Sequence, residues 1–207
     1  MHRFNPADHK KLDSEERRKL TPPEFLVEAI EETATDYLKT KDTVTVADVG
    51  CGSGFFSIPL IKRLKKIDDK NVLFFALDIS DKMIGMFNKK LKKEIRDEDI
   101  SNVKCIKCEE LFLSLGDNSV NILLMTAVFH EIEDKHLYLQ EIKRVLKNEG
   151  TFFLLDWKRE DAHPIMGPPL QERVSTEEAV SILQESGFND INILPLYPSF
   201  FTLISKK

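Results

Sequence analysis

The chain has 207 residues, 42% hydrophobic and 31% charged, with a formal net charge of −5. Its length suffices for one domain with a sizeable core, and its apolar content excludes a disordered chain. The acidic balance argues against a dedicated nucleic-acid binder, and no apolar run approaches the roughly 18 residues that a membrane span needs.

The elements alternate along the chain. Met1 to Leu20 is highly charged with little periodicity, so residues 1–20 read as an arm or lid and residues 21–207 as the domain. Thr21-Pro22-Pro23-Glu24 reads as a capped helix start, with Leu26, Ala29, Ile30, Thr33 and Tyr37 following at helical spacing. Val44–Val49 is a β-branched strand that runs into Gly50-Cys51-Gly52-Ser53-Gly54. A helix over 55–64 carries Pro59 in its first turn, where proline is tolerated. Val72–Leu77 is a strand apolar on both faces, and Ser80 caps a helix lined by Met83, Phe87 and Leu91. Short strands follow at 103–106 and 120–125, then a helix marked by Leu139, Ile142, Val145 and Leu146, then a strand over 151–157. Ser175 and Glu178 open a helix that stops at Gly187. Strands near 191–194 and 200–204 are joined only by Pro195–Ser199, too short for a crossover, so the last strand pairs antiparallel.

Helix-sized spacers between strands imply right-handed crossovers. The expected fold is therefore α/β: a doubly wound, Rossmann-like, mostly parallel sheet of about seven strands, with an antiparallel last strand and helices on both faces. Ligands of such sheets bind beyond the carboxyl ends of the strands. The loop after the first strand has glycines at 50, 52 and 54, but Phe55 stands where a dinucleotide fingerprint wants its third glycine. Asp48, just before the loop, suits a cationic ligand better than a pyrophosphate. Asp78 ends the second strand, where one carboxylate can accept from both hydroxyls of a ribose.

With these residues the sequence resembles the class I S-adenosylmethionine-dependent methyltransferases, most closely the broad group that includes the quinone-biosynthesis enzymes. Val44–Gly54 resembles the family's first motif and Leu77-Asp78-Ile79-Ser80 its ribose-binding acid. Asp117–Asn121 resembles the turn into the fourth strand, with Asn121 where Asp is usual. Glu141–Gly150 resembles the helix and turn before the fifth strand, with Asn148 where Pro is usual. The resemblance implies S-adenosylmethionine as donor, leaving S-adenosylhomocysteine as product. Gly50, Cys51 and Gly52 are expected around its methionine part, with Asp48 near the amino group. Asp78 is expected on the ribose and Ile79 on the adenine, with Glu109 (or Glu110) accepting from the adenine amino group. Thr126 borders the same site.

Beyond the fourth strand the resemblance places Thr126-Ala127-Val128-Phe129-His130-Glu131 between donor and acceptor. A base is needed only if the acceptor must lose a proton; His130, Glu131 and Asp156 are the candidates. Phe129, Trp157 and Arg173 are candidate substrate-cover residues, the last two flanking the loop-like insert that carries Gly167-Pro168-Pro169. The arm, with Phe4, His9 and Arg17, is expected to close from the other side. Cys105 and Cys108 spell C-x-x-C, yet positions three apart on a strand face opposite ways, and no second pair completes a metal site. Three cysteines give no disulfide framework and the N-terminus has no apolar signal core, so a cytoplasmic protein acting on a small molecule is expected. The competing readings are an NAD-dependent oxidoreductase and a non-catalytic S-adenosylmethionine-binding subunit.

Overall fold

The computed structural model describes residues 12–67, 71–96, 100–160 and 166–207. Two helices, α1 (Glu15–Leu20) and α2 (Pro23–Leu38), precede the sheet. Then follow β1 (Val44–Val49), α3 (Ser57–Ile67), β2 (Val72–Asp78), α4 (Asp81–Glu94), β3 (Val103–Lys107) and β4 (Val120–Thr126). A 3-10 turn (Phe129–Glu131) leads to α5 (Lys135–Val145), β5 (Leu146–Trp157), a second 3-10 turn (Leu170–Glu172), α6 (Thr176–Glu185), β6 (Asn189–Ile193) and β7 (Phe200–Lys206). The seven strands are ordered β3-β2-β1-β4-β5-β7-β6. The first five are mutually parallel, and β7 runs antiparallel to both of its neighbours. This is the expected fold.

Strand periodicity splits the core in two. Val44 and Val46 of β1 point into one cluster, with Leu26 and Ile30 of α2, Leu60 and Leu64 of α3 and Phe87 of α4. Ala47 and Val49 point into the other, with Leu139 and Ile142 of α5 and Leu183 of α6. All six residues of β1 are buried, as a strand covered on both faces requires. No helix among the described residues is long and apolar enough to cross a membrane.

One local expectation is corrected. Thr21 does not cap α2: its hydroxyl donates to the Arg17 carbonyl at 3.0 Å, closing the preceding helix α1. The N-cap of α2 is Pro22, with no side-chain cap. The Tyr197 hydroxyl takes over instead, accepting from the Leu26 N–H at 3.2 Å and donating to the Pro22 carbonyl at 2.9 Å. The described part of residues 1–20 forms α1 (Glu15–Leu20), capped by Ser14 and burying none of its residues.

The other caps follow the sequence. Ser80 accepts from Met83 N–H and Ser175 from Glu178 N–H. Ser175→Ala should cost about 1 kcal/mol, the usual worth of an N-cap, read as a lower denaturant midpoint at unchanged slope.

Candidate active site

The strand order reverses between β1 and β4, and the loops after these two strands meet there. Gly50 and Cys51 both donate their N–H to the Leu77 carbonyl, at 2.8 and 2.9 Å, which folds the glycine loop back over the end of β2. Gly50 has φ +74°, and any side chain on it would collide with Val128, so the position demands glycine twice over. Val128 is carried there by Ala127, a non-glycine residue at φ +55°. Cys51 is buried, and burial, followed by the charges of Asp48 and Asp78, raises its thiol far above the usual range. It therefore contributes backbone and bulk, not a nucleophile.

Asp48 is 1% exposed, and its Oδ2 accepts from the Ser57 hydroxyl. Its Oδ1 is buried with no partner. Burial raises this carboxyl to about 7; the Ser57 bond opposes the rise and Asp78 adds to it. A buried acidic oxygen without a partner suits a cation, and would repel a diphosphate. Asp78 accepts from Gly52 N–H at 2.9 Å and from Ser80 N–H at 2.8 Å. Ile79 beside it is 43% exposed, an apolar surface for a ring. Glu109 and Glu110 are both exposed at the end of β3, where Glu109 N–H donates to the Phe112 carbonyl. Thr126 closes β4 nearby, 7% exposed. Burial and position thus fit Asp48, Asp78 and Ile79 to the amine, the diol and the purine of S-adenosylmethionine. Ser57, which sequence reasoning missed, is the residue that fixes Asp48.

A His–Asp pair stands at the carboxyl ends of β4 and β5. Asp156, at the end of β5 and 1% exposed, accepts from His130 Nδ1 at 2.7 Å, from His130 N–H at 3.0 Å and from Trp157 N–H at 2.6 Å. With Nδ1–H given to Asp156, Nε2 is the nitrogen left to take a proton. Burial pushes the imidazole pKa down, but Asp156, Glu131 and Glu172 push it up, and the net is a rise. Glu131 lies farther off, its Oε1 3.8 Å from Nε2.

The cover candidates separate. Phe129 is wholly buried against α5, with Lys135 Nζ 5.4 Å from its ring centre, so it walls the core and covers nothing. Trp157 is buried, with the Phe200 ring centre 4.0 Å from its own and the Arg173 guanidinium 5.2 Å from it, so its ring packs against protein. Arg173 is 4% exposed and ties the insert together through the carbonyls of Pro168 and Met166. Phe4 and His9 lie outside the described residues. Arg17 sits over the Phe55 ring at 4.7 Å, and Lys90 pairs with Asp13 at 2.7 Å, which holds the start of the described chain against α4. A cleft of about 500 Å³ opens there, between Arg18, Ser53 and the α4 lysines 89, 90 and 93. Cys105 packs with the first core cluster and Cys108 belongs to the second, on opposite faces of the sheet.

The methyltransferase domain family matches residues 40–188. The ubiquinone/menaquinone biosynthesis C-methyltransferase UbiE of Rickettsia prowazekii is 29% identical over 114 residues, 55% of this chain and 44% of that protein. The demethylmenaquinone methyltransferase of Bacteroides fragilis is 29% identical over 132 residues, 64% of this chain and 51% of that one. The chain thus spans about half the length of these curated relatives. The crystal structure of a SAM-dependent methyltransferase from Aquifex aeolicus superposes over 99% of both chains, with a TM-score of 0.79 and 28% identity. With the glycine loop, the orphaned Asp48 and the acid at the end of β2 all in place, the chain belongs to the methyltransferase domain family, in the class I S-adenosylmethionine-dependent group.

Proposed function

We propose that this protein transfers the methyl group of S-adenosylmethionine to a small organic acceptor that loses a proton in the reaction, with His130 as the base. The donor, when bound, supplies an electrophilic methyl on a sulfonium. The chain does the rest. Asp48 and Asp78 bind the donor's amine and ribose, Glu109 or Glu110 its adenine, and the backbone at Gly50 and Gly52 lies close along it. His130 Nε2 takes the acceptor's proton, and Asp156 orients the ring and stabilises the imidazolium. Alignment of the two reactants in a site shielded from water supplies most of the acceleration in such displacements.

One observation carries this reading: the Asp156–His130 bond of 2.7 Å lies at the carboxyl ends of β4 and β5, on the sheet edge that also carries the glycine loop after β1. A subunit that only sensed the donor would have no use for a base held in one tautomer. An oxidoreductase would have to place a dinucleotide's phosphates beside Asp48 and Asp78. The names of the curated relatives point to quinone-like acceptors, and an acceptor whose reacting position is acidic fits the same dyad.

The test is calorimetric titration with S-adenosylmethionine, S-adenosylhomocysteine and NADH, followed by incubation of small-molecule extracts with methyl-labelled donor. Binding of the first two alone, with label entering an extractable product, is expected. NADH binding in their place would reverse the assignment. Asp78→Ala should weaken donor binding by about 1.5–3 kcal/mol, the scale of a charge-assisted hydrogen bond, and unchanged affinity would remove Asp78 from the site.

A further inference from the structure

Arg173 carries a charge that the folded chain leaves half satisfied. Nε donates to the Pro168 carbonyl and Nη2 to that of Met166, both at 2.9 Å, while Nη1 is buried with no partner. A buried donor on a charged group is costly to leave unpaired, and in native structures such a group calls for a partner. The bridge between Lys158 and Val174 lays this segment along the end of β5, next to Asp156.

Two further cations lie within reach of the Asp156 charge. Arg17 comes from α1, over the ring of Phe55, and Lys135 from the start of α5, its Nζ donating to the Ile132 carbonyl at 2.7 Å. Asp156 acts electrostatically on all three. It neutralises none of them by contact: among the described residues its ion-pair partner is His130, and its oxygens are already accepting three hydrogen bonds. The other acids acting on these groups are Asp13 on Arg17, Glu178 on Lys135, and Glu131 and Glu172 on His130. Glu172 also has a buried oxygen without a partner, which makes a cationic acceptor the rival expectation. Arg173 decides between them, because it is the more deeply buried and its planar fork is fixed by two carbonyls.

We propose that Arg173, supported by Arg17, is the anion-binding end of the acceptor site, and that the acceptor is a small molecule bearing a carboxylate. This rests on the methyltransferase reading and adds to it the class of substrate. The carboxylate takes the free Nη1–H, which leaves the acceptor's reacting end toward His130.

The test uses protein saturated with S-adenosylhomocysteine, whose binding is first measured alone. A folded chain that does not bind it rejects the methyltransferase reading itself. If it binds, the loaded protein is titrated with benzoate, hexanoate, benzamide and benzylamine by thermal shift and calorimetry. At least one carboxylate should raise the melting temperature, with no response to the amide or the amine. Arg173→Met should lose about tenfold or more in carboxylate affinity, the scale of a charge-assisted bond, with affinity for S-adenosylhomocysteine unchanged. Should that variant not fold, Arg173→Lys, which keeps the charge and loses the fork, and Arg17→Gln provide the same comparison through intermediate losses. Stabilisation by benzylamine, silence from both carboxylates, or full carboxylate affinity in the arginine variants overturns the proposal.

Discussion

Asp48→Asn should make the ligand-free protein more stable and its donor binding much weaker. Burial holds the Asp48 carboxyl at about 7 in the folded chain, against roughly 4 for an unfolded aspartate. Between those values the folded state binds more protons than the unfolded one, so this group's contribution to stability falls as pH rises. The loss is complete once pH has passed about 7, where the folded chain must hold an unpaired carboxylate oxygen. Each tenfold difference in proton affinity between the two states is worth about 1.4 kcal/mol, so the penalty at pH 8 is a few kcal/mol at most. Asparagine removes it while keeping the shape and an oxygen for the Ser57 hydroxyl. Each kcal/mol recovered should raise the melting temperature by about 2–4 °C for a chain of this size. The same substitution deletes the charge that attracts the donor's amine, at a cost of about 1.5–3 kcal/mol in affinity. Thermal melts of wild type and variant from pH 5 to 8, with and without S-adenosylhomocysteine, read both effects. The gap between them should widen with pH when the ligand is absent and reverse when it is saturating. A variant that melts lower at every pH, with donor affinity intact, would make Asp48 a structural acid.

The parts of this site legible in the sequence are those fixed by local geometry. Glycines at 50, 52 and 54 announce a turn that other residues resist, and Asp48 and Asp78 are placed by the ends of strands whose apolar runs are plain. The antiparallel β7 followed from a connection too short to cross over. What stayed hidden depends on contacts between distant segments. Thr21 had the pattern of a cap, but α1 claims its hydroxyl, and the charged surface of α1 masked that helix. Ser57 gave no signal, because only the folded loop brings it to Asp48. Phe129 and Trp157 were read as cover residues because the segments carrying them border the site. Their burial is set by α5 on one face and by Phe200 of β7 on the other. Chain position placed both residues near the candidate site; packing decided what their rings do.

The largest loss of turnover should come from the His130–Asp156 pair, and its pH dependence separates a base from a bystander. The imidazole works as a base only when neutral, so activity should rise with pH through the His130 pKa. Asp156, Glu131 and Glu172 outweigh burial and lift that pKa above its ordinary value near 6.5. The acidic limb of the rate profile should therefore lie above pH 6.5. His130→Ala should lower kcat by about 10²–10⁴-fold, the range for a positioned general base, with donor affinity unchanged. Asp156→Asn is the sharper experiment. It keeps a side-chain oxygen for one of the two backbone N–H groups that Asp156 serves through its separate oxygens, and removes the charge that raises His130. The acidic limb should then move to lower pH even as the maximum rate falls, because the ring loses both its orientation and the stabilisation of its protonated form. A merely structural Asp156 predicts a different outcome, a less stable protein whose profile keeps its midpoint. If the profile of Asp156→Asn does not move while His130→Ala still transfers methyl groups at the wild-type rate, the acceptor needs no base. The buried pair would then be a brace between the loop after β4 and the end of β5, and the chemistry would rest on alignment alone.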